Sequence, residues 1–383
     1  MTQEPNIFPY IARLLQGAEV VWKPLGEVAE LKRGTTITKK TSNEGIYPVI
    51  SGGQQPAYYI DQFNRDGETI TVAGSGAYAG FVMYWNEPIF VGDAFSIKAN
   101  GEQVLPRYIY HFLLSIQEKI HDLKSGGGVP HVYAKDVARF VIPLPPLSVQ
   151  QEIVRILDKF SQLEAELEAE LDCRKRQYEY YRNKLLSYEG NEVEWKTLGE
   201  VAKKISSGGT PKTTVSEYYN GEIPWLRTQE VGYGEIWDTS IKITEDAVKN
   251  SSAKWIPRDC VIIAMYGATV GKVGINKIPL TTNQACSNIE VNEDIANYKY
   301  VYYCLLNQYE YIKSLGAGSQ TNINAQIVKN LKIPLPPLEE QQRIATILDK
   351  FDTLVNSISE GLPKEIALRR KQYEYYRERL LSF

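Results

Sequence analysis

The side chains able to do chemistry fall into two sets, and only one of them is arranged for it. The histidines His111, His121 and His131 stand ten residues apart with no Cys or carboxylate at ligand spacing, so they describe no zinc site. Gly267-Ala-Thr-Val-Gly271-Lys272 follows an apolar run and resembles a phosphate loop. It is one residue short, and Val273 stands where magnesium binding needs Ser or Thr. Its glycines are expected to make a tight strand-to-strand turn instead. Asp61, Asp66 and Glu68 have no spacing that requires a nuclease site, and no glycine-rich fingerprint for a methyl donor is present. Cys173, Cys260, Cys286 and Cys304 form no CxxC pair and read as cytosolic thiols. No cofactor, no metal and no enzymatic activity are expected.

The second set consists of polar residues in loops. Sequence-specific DNA reading uses Arg, Lys, Asn, Gln and hydroxyl side chains on exposed loops. The first half of the chain offers Lys32, Arg33, Thr35, Thr36, Lys39, Lys40, Gln54, Gln55, Ser75, Tyr78, Lys124 and His131. The second half offers Lys203, Lys204, Thr210, Lys212, Arg227, Gln229, Tyr266, Thr269, Gln320 and Asn322. Singly, each reads as solvated surface. Their equivalent placement in two copies of one scaffold is what favours DNA.

That scaffold is an internal repeat. Ile142-Pro-Leu-Pro-Pro-Leu147, Ile156-Leu-Asp-Lys-Phe160 and Arg176-Gln-Tyr-Glu-Tyr-Tyr-Arg182 return as Ile333-Pro-Leu-Pro-Pro-Leu338, Ile347-Leu-Asp-Lys-Phe351 and Lys371-Gln-Tyr-Glu-Tyr-Tyr-Arg377. Trp22-Lys-Pro-Leu-Gly-Glu-Val-Ala29 returns as Trp195-Lys-Thr-Leu-Gly-Glu-Val-Ala202, so the duplication covers the whole chain. Apolar residues at Val149, Ile153, Ile156, Phe160, Leu163 and Leu167 step by four and three, the seam of a paired helix. After a stutter at Leu171 the seam resumes at Tyr178, Tyr181 and Leu185. Ser148 and Gln151 fit a capping box. The partner stripe is Ile344, Ile347, Phe351, Leu354, Ile358 and Leu362, with Gly361 and Pro363 expected to break or kink that helix. Tyrosines stand on more than one side of each helix, so Tyr180 and Tyr375 are expected to meet partner proteins.

The resulting plan is α+β, with two similar globular domains and two long helices packed as an antiparallel coiled coil in a pseudo-twofold repeat. The boundaries read as a helical segment at 1–21, a domain at 22–147, a helix at 148–190, a domain at 191–338 and a helix at 339–383. The net charge of −3 over 383 residues argues against coating nucleic acid by charge alone. No apolar run is long enough to span a membrane and no signal peptide opens the chain, so a cytoplasmic location is expected.

On the Trp22–Ala29 motif, the two Ile-Pro-Leu-Pro-Pro-Leu motifs and the two Gln-Tyr-Glu-Tyr-Tyr-Arg runs, the chain resembles the specificity subunits of type I restriction–modification systems. The resemblance implies target-recognition domains, each reading one half of a bipartite, asymmetric site in double-stranded DNA. It implies helices that hold the halves apart, and catalysis by other polypeptides: two methylation subunits per chain and restriction–translocation subunits. Four extra residues around Gly361-Leu-Pro363 depart from strict symmetry. The alternative is a non-catalytic protein-binding scaffold with no direct DNA contact, which the slight acidity favours and the loop-divergent duplication disfavours.

Overall fold

Proline decides where the long helices start. The strand Val141–Leu144 pairs antiparallel with Val21–Pro24, and the prolines that follow cannot donate to extend the ladder. The helix Leu147–Leu186 begins directly after them and runs unbroken for 40 residues, roughly 60 Å at 1.5 Å per residue. In the second copy Lys332–Leu335 pairs with Glu194–Thr197, and the helix Leu338–Asn356 follows Pro337. The computed structural model that shows this describes residues 8–126, 128–188, 193–316 and 322–383.

The expected capping box is not what fixes the first helix, because Ser148 already lies inside it. The second helix likewise has no side-chain cap at Pro337. A buried glutamine does the anchoring. The Gln150 amide donates to Pro145 O at 2.9 Å and Gln103 O at 3.0 Å, and accepts from Leu105 N at 3.0 Å. Gln341 donates to Pro336 O at 2.8 Å and accepts from Asn297 N at 2.9 Å.

The second helical region does break. Leu338–Asn356 ends, and Gly361–Leu380 begins after four intervening residues. Gly361 has φ +72°, and a Cβ there would lie 2.4 Å from Thr353 O, so only glycine fits. Pro363 falls in the first turn of the new helix, where no N–H is needed. Ile358, expected in the apolar seam, falls in the break and is 87% exposed.

The chain divides into two compact units. One comprises Met1–Ala169 with Lys364–Phe383, the other Glu170–Pro363. The first holds a four-stranded sheet in the order Ala29–Arg33, Ala94–Ala99, Thr69–Ala73, Val82–Trp85, and a three-stranded sheet in the order Tyr59–Ile60, Glu44–Ile50, Phe90–Val91. The second holds a five-stranded sheet in the order Ala202–Ser207, Cys286–Val291, Val261–Ala264, Val273–Asn276, Glu235–Ile236. Its four-stranded sheet runs Lys242–Ile243, Ile223–Leu226, Leu280–Thr282, Trp255–Ile256. The helices Pro106–Ser115 and Tyr298–Asn307 fill the corresponding cores. Both units therefore mix α and β as expected.

The helix faces differ from the expected seam by one residue at several positions. Val149, Ile153 and Leu157 are buried while Ile156 is only partly so, and Leu186 is buried more deeply than Leu185. The reason is that each helix packs on its own domain as well as on a helix. Within the first unit Phe160 meets Tyr373 and stacks on Tyr376 at 5.3 Å, and Arg370 bonds to both Glu164 and Glu168. One number rises as the other falls, so these helices run antiparallel. Within the second unit Phe351 stacks on Tyr178 and Tyr181.

A polar network ties helix to domain in each unit, with different members. In the first, Asp158 accepts from Arg107 Nε at 3.1 Å and from His111 Nε2 at 2.7 Å. The His111 Nδ1 then accepts from the Tyr373 hydroxyl at 3.0 Å. In the second, Asp349 accepts from Lys299 at 2.5 Å and from Tyr303 at 2.7 Å, and Tyr178 turns to Asp352 at 3.4 Å. Tyr303 stands where His111 does, and Asp352 where Ser161 does. Burial lowers the His111 pKa despite the Asp158 hydrogen bond that raises it. The unfolded imidazole titrates near 6.5. Below that pH the unfolded state binds more protons, so stability is lost as pH falls from about 6.5 through the lowered folded value. Calorimetry is expected to show a lower Tm at pH 5.5 than at pH 7, and His111→Tyr with Ser161→Asp is expected to flatten that difference. His111→Tyr alone leaves the Tyr373 hydroxyl unpaired at a cost of about 1–3 kcal/mol. Adding Ser161→Asp should recover about 1 kcal/mol of it, and simple additivity in the double-mutant cycle would refute the coupling.

Candidate nucleic-acid interface

Both units bring loops together around one strand-to-strand turn. In the first, residues 74–81 connect Thr69–Ala73 to Val82–Trp85. In the second, residues 265–272 connect Val261–Ala264 to Val273–Asn276. Gly76 and Gly80 have φ +85° and +87°, and Gly267 and Gly271 have +79° and +82°. Left-handed backbone at both ends of the turn is why the two glycines recur. This is the turn expected from the Gly267–Lys272 run.

In the first unit, a segment that leads into Ala134–Val137 lies across this turn. His131 exchanges backbone bonds with Ser125 at 3.0 and 2.9 Å and bridges to Ser75, and Gly76 N donates to Pro130 O at 3.0 Å. The Lys124 ammonium donates to Ala77 O at 3.2 Å, and Tyr78 is 48% exposed. Gly52 lies so close that a Cβ would sit 2.5 Å from Ser75 O, which sets exposed Gln54 and Gln55 in the adjoining segment. Arg33 lines a cleft of about 60 Å³ with Asp93, His131 and Tyr133. Ser75 donates to the Asp93 carboxylate, and the His131 ring stacks on Tyr133 at 6.1 Å. Ser75, Tyr78, Lys124, His131, Arg33 and the Gln54–Gln55 segment thus converge.

Others of the expected set stand apart. Thr35 is held by its backbone to Val91 O at 2.9 Å. Thr36, Lys39 and Lys40 are exposed near a turn closed by Thr41 N to Thr38 O at 3.0 Å, which the Tyr58 hydroxyl pins through Ile37 O. Lys32 is exposed on the strand Ala29–Arg33.

The second unit assembles the same address from different side chains. Thr269 donates to Thr228 O at 2.7 Å, joining the turn to the short helix Thr228–Glu230 with its exposed Gln229. Gly267 N donates to Asn322 Oδ1 at 3.4 Å, and Tyr266 is 40% exposed. Thr210 bonds to Gln284, next to Ala285, whose carbonyl accepts from Met265 N at 2.8 Å. Arg227 pairs with Glu230 at 3.2 Å. Burial raises the Glu230 pKa, but bonds from Ser240 and Arg227 outweigh it and hold the carboxyl below its usual range. Lys203 pairs with Glu290 at 3.2 Å, Lys204 lies opposite that Glu290, and Lys212 is exposed in a separate turn. Gln320 lies outside the described residues.

The sequence reading did not select Asp93, Tyr133, Gln284, Glu230 or Ser240. No spacing marks them. Asp93 and Gln284 are recognisable only once the repeat places each just ahead of the strands Ala94–Ala99 and Cys286–Val291. The arrangement offers hydrogen-bond donors and acceptors on rigid turns, the chemistry of base-edge and phosphate contact. Burial pushes the thiols of Cys260, Cys286 and Cys304 up to about 12. Among the described residues no three His, Cys, Asp or Glu side chains are grouped to hold a metal. Nor is any helix there long and apolar enough to cross a membrane.

One scaffold used twice, with differing polar loops at the same address, defines a recognition protein made by duplication. The family model described as the Type I restriction modification DNA specificity domain matches residues 18–172 and again 191–368. The chain belongs to that family, the specificity subunits of type I restriction–modification systems. It is 36% identical over 400 residues to a type I restriction enzyme specificity subunit of Escherichia coli, covering 98% of this chain and 97% of that protein. In fold it resembles the crystal structure of an S subunit from M. genitalium, with TM-score 0.66 and 19% identity over 100% of this chain and 98% of that one. An HsdS subunit from Thermoanaerobacter tengcongensis superimposes with TM-score 0.51 and 19% identity, over 96% of this chain and 97% of that one. As a family member the chain is a non-catalytic, sequence-specific DNA-binding subunit that works with methylation and restriction subunits.

Among the described residues Lys39 and Lys40 have no ion-pair partner, whereas Lys203 is already paired. Replacing Lys39 and Lys40 with Ala is expected to weaken binding to duplexes of any sequence and to reduce the slope of log K against log salt by about 2, near 0.9 per phosphate contact. Lys203→Ala should change it less. Titrations at several salt concentrations measure both, and equal slopes in all variants would place the two lysines off the phosphate track.

Proposed function

We propose that the domains at 22–147 and 191–338 each read one half of a bipartite, asymmetric site in double-stranded DNA. The supporting observation is the duplicated turn: left-handed glycines at matching positions, Gly76 and Gly80 in one and Gly267 and Gly271 in the other, surrounded by unlike side chains. The residues that read bases are those gathered there. In the first domain they are Arg33, Gln54, Gln55, Ser75, Tyr78 and His131, and in the second Thr210, Arg227, Gln229, Tyr266, Thr269 and Asn322. Lys32, Thr35, Thr36, Lys39, Lys40, Lys203, Lys204 and Lys212 serve the phosphates.

The long helices pair as an antiparallel coiled coil and act as a ruler for the gap between half-sites. They also dock one methylation subunit per half, two per chain. Tyr180 and Tyr375 support this, being 58% and 50% exposed at matching positions, each edge-on to a tyrosine that is itself stacked on Phe351 or Phe160. Replacing both with Ala is expected to weaken assembly with methylation subunits while both domains stay folded.

Mapping methylated adenines in cells that carry the protein with its partners tests the reading. Exchanging residues 22–146 for another such domain should change one half-site only. Inserting four residues after Glu170 lengthens the helix by roughly 6 Å, or one to two base pairs at about 3.4 Å each. The gap should grow by that amount with both half-sites unchanged. An active variant with the original gap would mean that the break at 357–360 absorbs the added turn and that the helix is no ruler.

A further inference from the structure

The turn Gly76–Gly80 of the first unit is held by three side chains from one neighbouring segment. Gln117 and His121 lie on the helix Gln117–His121, and Lys124 follows it. Their spacing of four and three puts them on one face. That face meets the turn. Gln117 Nε2 donates to Gly80 O at 2.7 Å, His121 Nδ1 bonds to Ala79 O at 2.9 Å, and Lys124 Nζ donates to Ala77 O at 3.2 Å. A carbonyl can only accept, so the His121 Nδ1 carries a proton. The Gln117 amide oxygen also accepts from Val82 N at 3.2 Å, just beyond the turn. The remaining carbonyls are bonded internally, Gly76 O to Ala79 N at 3.0 Å and Tyr78 O to Phe81 N at 2.9 Å. Every carbonyl from Gly76 to Gly80 therefore has a donor.

The second unit supports its turn differently. Tyr309, Lys313 and Gly316 stand where Gln117, His121 and Lys124 do. The Tyr309 ring packs against Gly271, 3.4 Å from where a Cβ would be, and among the described residues no side chain from the helix Tyr309–Ser314 donates to the turn.

We infer that Gln117, His121 and Lys124 are positioning residues that clamp the first unit's turn so that Ser75 and Tyr78 are presented in one geometry. The inference rests on the reading of these loops as base-reading. A turn fixed in advance loses little freedom on binding and tolerates little mismatch. Releasing it should therefore lower discrimination more than contact with DNA as such. It also implies that Lys124 acts through Ala77 O.

The test uses the full chain assembled with its methylation subunits and a duplex library randomised across both half-sites, with bound molecules sequenced. His121→Leu, and separately Gln117→Leu, should reduce base preference in one half-site by roughly three- to tenfold, the worth of one hydrogen bond. The other half-site and low-salt binding to random duplex should stay as in the parent. His121→Asn places an amide N–H near the Nδ1 position and should restore preference, which a role in bulk packing would not allow. Unchanged preference in His121→Leu, equal loss in the Leu and Asn variants, or loss in both half-sites overturns the inference. A parent complex with no sequence preference at all overturns the DNA reading beneath it instead.

Discussion

A buried primary amide has more hydrogen-bonding valence than almost any neutral side chain, and leaving it unmet costs about 1–3 kcal/mol. Gln150 and Gln341, both fully buried, meet theirs with backbone from the Pro-Pro corner and from the segment ahead of the first domain helix. Close by, the Tyr108 and Tyr300 hydroxyls donate to Pro143 O and Pro334 O at 2.9 and 3.0 Å. These bonds fix where each long helix leaves its domain. Apolar packing alone would permit the exit to slide, since Val149, Ile153 and Leu157 are interchangeable in kind. Gln341 also donates to Ile295 O at 3.4 Å, so neither glutamine is free to move without orphaning three backbone groups.

With the exit fixed, the rest of each domain can vary. The differences are not scattered. Arg107 becomes Lys299, His111 becomes Tyr303 and Ser161 becomes Asp352, while Asp158 and Tyr373 keep their types at Asp349 and Tyr178. A carboxylate needs donors, and a buried hydroxyl needs a partner, so a change at one position obliges a change at another. The turns at Gly76–Gly80 and Gly267–Gly271 follow the same logic, with hydrogen bonds from Gln117 and His121 in one unit and the Tyr309 ring in the other. Unlike loops on equal backbones are stable because each has its own support.

The repeat made most of this architecture legible in the sequence. The Pro-Leu-Pro-Pro-Leu corner, the helix of 40 residues and the break near Gly361 all follow from local chemistry, because proline and glycine act through φ. The seam was legible only to within a residue. Its period is set by the helix, but its phase depends on what lies beside it, so Leu157 and Leu186 replace Ile156 and Leu185 in the deepest positions. The assignment of Ser148 to a cap failed because the glutamine two residues on already does that work through tertiary contacts. Loop residues were readable as a type of chemistry and not as a site. Asp93 meets Ser75 across the sheet, and the clamp on Gly76–Gly80 joins residues about forty positions apart, which no local pattern encodes.

The two units also differ in how the chain closes them. The second is one stretch, Glu170–Pro363, whereas the first is completed only by Lys364–Phe383. The His111–Tyr373 bond spans 262 residues and the Tyr178–Asp352 bond 174. The longer loop is less than a doubling, so its added entropic cost is below about 0.6 kcal/mol. What the distant segment lacks is a local guide to register. Ile366, Tyr373 and Leu380 repeat every seven residues, and an apolar stripe of that kind accepts a slip by one heptad. A slip would carry Tyr373 away from His111 and leave a buried imidazole nitrogen unpaired, at about 1–3 kcal/mol. In this unit apolar contact holds the returning helix against the domain, and polar bonds, His111 to Tyr373 and Arg370 to Glu164 and Glu168, decide which turn of it belongs there.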